Sequence, residues 1–104
     1  MSMYYGLGSK VVAFAFETIT VEGTAIGPTL ATIAPSDGFE ATYGLFTVKD
    51  DDVRFRFDGG DPTASVGHYL EDGQNLEMHG VENLKNLKFI QVNTAAKVSA
   101  TYAR

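Results

Sequence analysis

A chain of 104 residues without cysteine carries thirteen acidic side chains against eight Lys and Arg, a formal charge of −5. That length supports one domain and one core, with about 5,700 Å² left exposed of about 16,000 Å² in the unfolded chain. No disulfide framework or cysteine-based zinc site is available, no basic stripe invites nucleic acid, and no apolar run approaches the ~20 residues that cross a bilayer. The opening "MSMYYGLGSK" lacks the charged and long apolar regions of a secretory signal, so the expectation is a domain made in the cytoplasm with neither membrane nor nucleic acid as partner.

Taken in chain order, residues 1–10 stand apart as an N-terminal arm, and residues 11–104 read as a β domain. Tyr4 and Tyr5 sit beside Met3 and Leu7 between glycines. Such a segment makes a poor solvated tail, and its first nine residues reach up to ~30 Å when extended. Met3, Tyr4, Tyr5 and Leu7 are therefore candidate interface residues. "KVVAFAF" (10–16) and "ETITV" (17–21) follow as extended chain, with Ile19 and Val21 on one face. Gly23 and Gly27-Pro28 break the run. "TLATIA" (29–34) reads as another short strand before the Pro35-Ser36-Asp37-Gly38 turn.

From Ala41 the pattern sharpens. "ATYGLFTV" leads into Lys49-Asp50-Asp51-Asp52, and "VRFRF" follows. Val53, Phe55 and Phe57 then share one face while Arg54 and Arg56 share the other, the strict alternation of a strand with one buried side. Asp58-Gly59-Gly60-Asp61-Pro62 ends it, because glycine accepts positive φ and proline cannot donate to a ladder. "SVGHYL" (65–70), the Glu71-Asp72-Gly73 turn and "NLEMHG" (75–80) come next. "VENLKNL" (81–87) spaces Val81, Leu84 and Leu87 for a single short helix. "KFIQV" and "KVSATY" close the chain around Asn93-Thr94-Ala95. Roughly seven to nine short strands at near-regular spacing predict a single-domain, all-β antiparallel sandwich. Val53, Phe55, Phe57, Leu76, Met78, Phe89 and Ile90 are its expected core.

Several constellations contain the letters of chemistry. His68 and His79, with Glu71, Asp72 and Glu77, would face each other across a hairpin as metal ligands, yet the usual ligand spacings are missing. Asp50-Asp51-Asp52 with Asp58 or Asp61 resembles a calcium loop but lacks its regular ligand spacing and closing glutamate. Solvated turn carboxylates explain it equally well. Ser65, His68 and Asp72 lack the strand-turn-helix setting of a hydrolase elbow. Pairs drawn from Asp58, Asp61, Glu71 and Asp72 have little room for a two-walled glycosidase cleft. The expectation is no catalytic residue, no metal and no cofactor. Arg54 and Arg56 are left with two readings that both stand: surface pairing with Asp58, Glu71 or Glu77, or anchors beneath a partner subunit.

The stretch "VRFRFDGGDPTASVGHYLEDGQNLEMHG", with "LKFIQV" and "KVSATY" after it, resembles small structural proteins of tailed bacteriophages and prophages. The resemblance runs from about Thr42 to Tyr102. It is carried by the Arg-Phe-Arg pattern, the Asp-Gly…Pro-Thr-Ala-Ser-Val-Gly corner and Lys88-Phe89-Ile90. Residues 1–40 match loosely, through "ETITV" and "GTAIGPT". The resemblance implies a β-sandwich, jelly-roll-like in one form, that serves as a non-enzymatic virion component made in the bacterial cytoplasm. Its implied roles are capsid decoration or cement, head fibre or tail part. The implied partners are the major capsid protein or other virion proteins, and copies of itself, a trimer first among them. A carbohydrate- or receptor-binding module is the alternative, with Tyr43, Tyr69 or Tyr102 as sugar platforms, and the absence of Trp weighs against it.

Overall fold

A computed structural model of the chain describes residues 11–104. Along them run β1 (Ala13–Val21), α1 (Leu30–Ile33), β2 (Tyr43–Lys49), β3 (Val53–Arg56), β4 (His68–Leu70), β5 (Asn75–His79), α2 (Val81–Asn86), β6 (Lys88–Gln91) and β7 (Ala96–Ala103). The described strands form a four-stranded sheet, β1-β7-β2-β5, and a three-stranded sheet, β4-β3-β6. Every ladder is antiparallel, and the chain is an all-β sandwich.

Alternation builds the core. Phe46 and Val48 of β2, Val98, Ala100 and Tyr102 of β7, and Ile19 and Val21 of β1 turn inward from the larger sheet. Val53 and Phe55 of β3 and Phe89 of β6 face them from the smaller one. The fully buried rings of Phe46 and Phe89 meet across the sandwich at 5.6 Å between centroids, and the edge of Tyr102 closes on Phe46 at 6.0 Å. Each large side chain covered in this way contributes ~1.5–3 kcal/mol. Gly44 breaks the alternation of bulk for a reason: a Cβ there would lie 2.8 Å from both Leu84 and Phe46. The missing side chain is the space into which α2 presses Leu84, and Val81–Asn86 is the short helix its spacing predicts.

Three expectations are corrected. "TLATIA" is a helical turn, not a strand, with Ile33 N donating to Thr29 O at 3.1 Å and Ala34 N to Leu30 O at 2.8 Å. Ile33 is buried while Leu30 is 60% exposed. Phe57 keeps the face that alternation gives it but lies beyond the end of β3, 40% exposed and stacked on Phe55. Leu76 and Ile90 are half-buried. Finally, "SVGHYL" and "NLEMHG" do not pair. β4 and β5 belong to different sheets, as do β2 and β3, and β6 and β7. The turns between these strands carry the chain from one sheet to the other.

Candidate functional site

The sheet-switching turns explain the acidic clusters. In the turn between β2 and β3, Asp51 Oδ2 accepts from Thr94 N at 3.1 Å and Thr94 Oγ1 at 2.6 Å, and its Oδ1 accepts from Asp52 N at 2.7 Å. Asp52 Oδ1 accepts from Asp72 N at 2.8 Å, and its Oδ2 from the Tyr69 hydroxyl at 2.5 Å. Two adjacent carboxylates thus tie their own turn to those following β4 and β6. The bond from Thr94 holds the Asp51 carboxyl below its usual range, and the bond to Asp52 pushes the Tyr69 phenol up. A calcium ion here would have to displace donors that the fold itself uses.

The two arginines brace the glycine-rich corner from the outer face of β3. Arg54 Nε donates to Ala64 O at 3.0 Å and its Nη1 to Gly67 O at 2.9 Å, with the guanidinium 5.0 Å from the Tyr69 ring centre. Arg56 grips Asp58 in a fork, Nε to Oδ1 at 3.0 Å and Nη2 to Oδ2 at 2.7 Å, and reaches Asp61 O at 3.3 Å. The Arg56 bond, seconded by Gly60 N, holds the Asp58 carboxyl at about 2. Lys88 secures Asp61 at 2.8 Å, and Pro62 is fully buried in the corner. The expected pairing of Arg56 with Asp58 is present. Arg54 is held by backbone carbonyls and an aromatic face, not by Glu71 or Glu77.

The histidines are not brought together. His68 on β4 packs on Phe55 at 5.2 Å, while His79 on β5 packs on Tyr43 at 5.1 Å in the other sheet. Among the described residues no three His, Asp or Glu side chains gather as a metal would require. Ser65 precedes β4 and Asp72 follows it, so the strand separates the letters of the would-be triad. Tyr43 and Tyr102 are 7% and 0% exposed and offer no sugar platform. Tyr69 is exposed, but its hydroxyl and one face are already engaged.

Two surfaces remain. One is an apolar rim along the outer strand β1 and the segment beside it, where Val12, Phe16, Leu30 and Phe39 are exposed by 60–67%. Arg104 organises one end of this rim, with its guanidinium 4.1 Å from the Phe14 ring and 5.6 Å from that of Phe39. Its Nη1 donates to Phe39 O at 2.8 Å. Glu17 organises the other end. Its carboxylate accepts from the Tyr102 hydroxyl at 2.5 Å, from Thr29 N at 3.0 Å and from Thr29 Oγ1 at 2.7 Å. Burial, and then the Glu17 carboxylate, push the Tyr102 phenol far above its usual range. Glu17 is not among the candidate residues that the sequence motifs single out. Its parity with Ile19 and Val21 was the signal, a carboxylate on the inward face of a strand. Met3, Tyr4, Tyr5 and Leu7 lie outside the described residues, which begin next to this rim.

The other surface is a cavity of about 250 Å³ at the end of β3, lined by Arg56, Phe57, Asp58, His68 and Asn83. No family model, no curated protein and no solved structure matches this chain.

Proposed function

We propose that this chain is a non-enzymatic structural protein of a tailed-bacteriophage or prophage virion, a capsid decoration or cement protein that strengthens the particle through subunit contacts. The observation that carries the reading is a group of exposed apolar side chains at and beside the outer strand β1: Phe16 on the strand, Val12 just before it, Leu30 in α1 and Phe39 in the loop after α1. Exposed edges with apolar side chains are the places where β proteins add a neighbour. Three of the carboxylates that sequence alone offers to chemistry, Asp51, Asp52 and Asp58, are engaged in bonds that hold the turns and the corner. The resemblance of residues 42–102 to phage structural proteins supplies the setting.

In this reading the protein works as a homo-oligomer, a trimer, against the major capsid protein. Arg54 and Arg56 brace the corner and present its outer face to a neighbour. Immunoblotting and antibody labelling of particles purified from the source strain test the proposal. Labelling over the head is expected, tail labelling would turn it into a tail or fibre protein, and absence from purified particles would end it. Native mass measurement of the purified protein tests the oligomer, and a monomer at all concentrations would remove the trimer.

A further inference from the structure

We infer that the cavity at the end of β3 is a binding site for one neutral pyranose ring, the terminal unit of a glycan. The inference stands on the cavity alone and is independent of any role in a virion. Its apolar wall is a pair of rings. Phe57, 40% exposed, and the exposed His68 lie 6.0 Å apart at 33°, and both lean on Phe55. This explains an otherwise costly feature: a phenylalanine on the core face of a strand that projects past the core. A shelf of this kind receives the C–H face of a sugar ring, which is apolar, while the hydroxyl edge stays free to turn toward polar groups.

Those polar groups are present and fixed. Asn83 Nδ2 donates to His79 O at 2.8 Å, which sets the amide plane and leaves Oδ1 without a donor among the described residues. Arg56 uses three of its N–H groups on Asp58 and Asp61, out of the five that a guanidinium carries. The Asp58 carboxylate accepts from Arg56 and Gly60 and keeps lone-pair capacity. His68 adds a donor and an acceptor in its neutral form. The rim therefore offers both donors and acceptors, which matches hydroxyl groups, each of which gives and takes a bond. Its fixed charges cancel, Arg56 against Asp58 at 2.7 Å, so neither an anion nor a cation finds an unpaired partner. Size agrees: about 250 Å³ falls below the ~300–1,000 Å³ that enclose drug-sized ligands and suits a single ring.

The test uses the full chain, labelled with nitrogen-15, and amide chemical shifts followed during titration. The probes are the methyl glycosides of glucose, galactose, N-acetylglucosamine, mannose and rhamnose, with sodium acetate and choline chloride as charged controls. At least one glycoside should bind with Kd on the order of 1–10 mM, with shifts centred on Phe57 to Gly60, His68 and Asn83. Phe57→Leu, which keeps an apolar side chain and removes the ring, should weaken binding at least about tenfold while the rest of the spectrum is retained. Asn83→Asp should weaken it as well. The inference is overturned if no glycoside shifts these amides, if the shifts map to another surface, if Phe57→Leu binds as the parent does, or if acetate or choline binds the cavity more tightly than every glycoside.

Discussion

Replacing Glu17 with alanine removes one carboxylate that serves three donors on two other segments of the chain. The three are not equal. Thr29 N and Thr29 Oγ1 lie in exposed surroundings, so water replaces the carboxylate there at little cost. The Tyr102 hydroxyl belongs to a residue that is 0% exposed, and its bond to Glu17 Oε2 measures 2.5 Å. Left without a partner, a buried hydroxyl costs ~1–3 kcal/mol. A loss of about 2 kcal/mol is expected, mostly from Tyr102. Against a total stability of ~5–15 kcal/mol that is large, and it lowers Tm by roughly 8–16 °C for a domain of this size.

The assay is urea unfolding followed by circular dichroism and tyrosine fluorescence, with the double variant Glu17→Ala/Tyr102→Phe as the decisive sample. Removing both partners leaves no orphaned hydroxyl, so the double variant should be destabilised by less than the sum of the single changes, with a coupling of about 1 kcal/mol or more. Glu17→Gln keeps one acceptor oxygen for Tyr102 and should fall between alanine and the parent. If Glu17→Ala stays within about 0.5 kcal/mol of the parent, or the double variant is strictly additive, the carboxylate does not hold the hydroxyl in the way described.

The remaining predictions touch the corner, the close approach and the arm. Asp58 is held at about 2, mainly by Arg56. Because its folded pKa is depressed, its contribution is complete above the ordinary value of 3.8 and is lost as pH falls through about 2. A carboxyl titration by carbon-detected NMR should find that low midpoint and see it rise towards 3.8 in Arg56→Gln, and an unmoved midpoint would refute the fork as its cause. Gly27→Ala would place a Cβ 2.1 Å from the carbonyl oxygen of Leu87, beside the paired backbones of Ile26 and Phe89; a loss of ~1–3 kcal/mol is expected, and a variant as stable as the parent in urea would contradict that approach. Deleting residues 2–8 should leave a cooperatively folding domain with weakened self-association or particle binding, read by thermal melts and native mass. Unfolding of the truncated domain, with any folded fraction still assembling, would refute the arm as an interface element.

Much of the architecture is legible in the sequence because alternation and side-chain burial report the same event. "VRFRF" places its aromatic and arginine faces correctly, and "NLEMH" and "KFIQ" are strands where their patterns put them. What alternation does not report is the partner across the ladder. Acidic and glycine turns serve hairpins and sheet-switching connections alike, so His68 and His79 read as neighbours while lying in different sheets. Nor does it report where a strand stops. Phe57 obeys the parity of Val53 and Phe55, but the chain leaves the ladder after Arg56, and parity without a facing sheet is not burial. "TLATIA" is too short to be decided by its pattern, since six residues with Leu30 and Ile33 three apart suit one helical turn as well as a short strand.

The acidic clusters are ambiguous in sequence for a related reason. A turn that crosses between sheets leaves backbone N–H groups without a ladder, and those donors require acceptors. Short carboxylates meet the need well, because a charged acceptor makes a stronger bond than a neutral one. Asp51 receives Thr94 N and Asp52 receives Asp72 N; Asp58 does the same for Gly60 N in the corner between β3 and β4, which share a sheet. The same residue types in the same clusters would be chosen to hold calcium or to move protons, and sequence cannot separate the two uses. Their hydrogen bonds can. A carboxylate that carries donors from two connections is part of the fold's own wiring. The side chains that the fold leaves open to a partner include Phe16 on β1 with Val12 and Leu30 beside it, and Phe57, His68 and the amide oxygen of Asn83 at the end of β3.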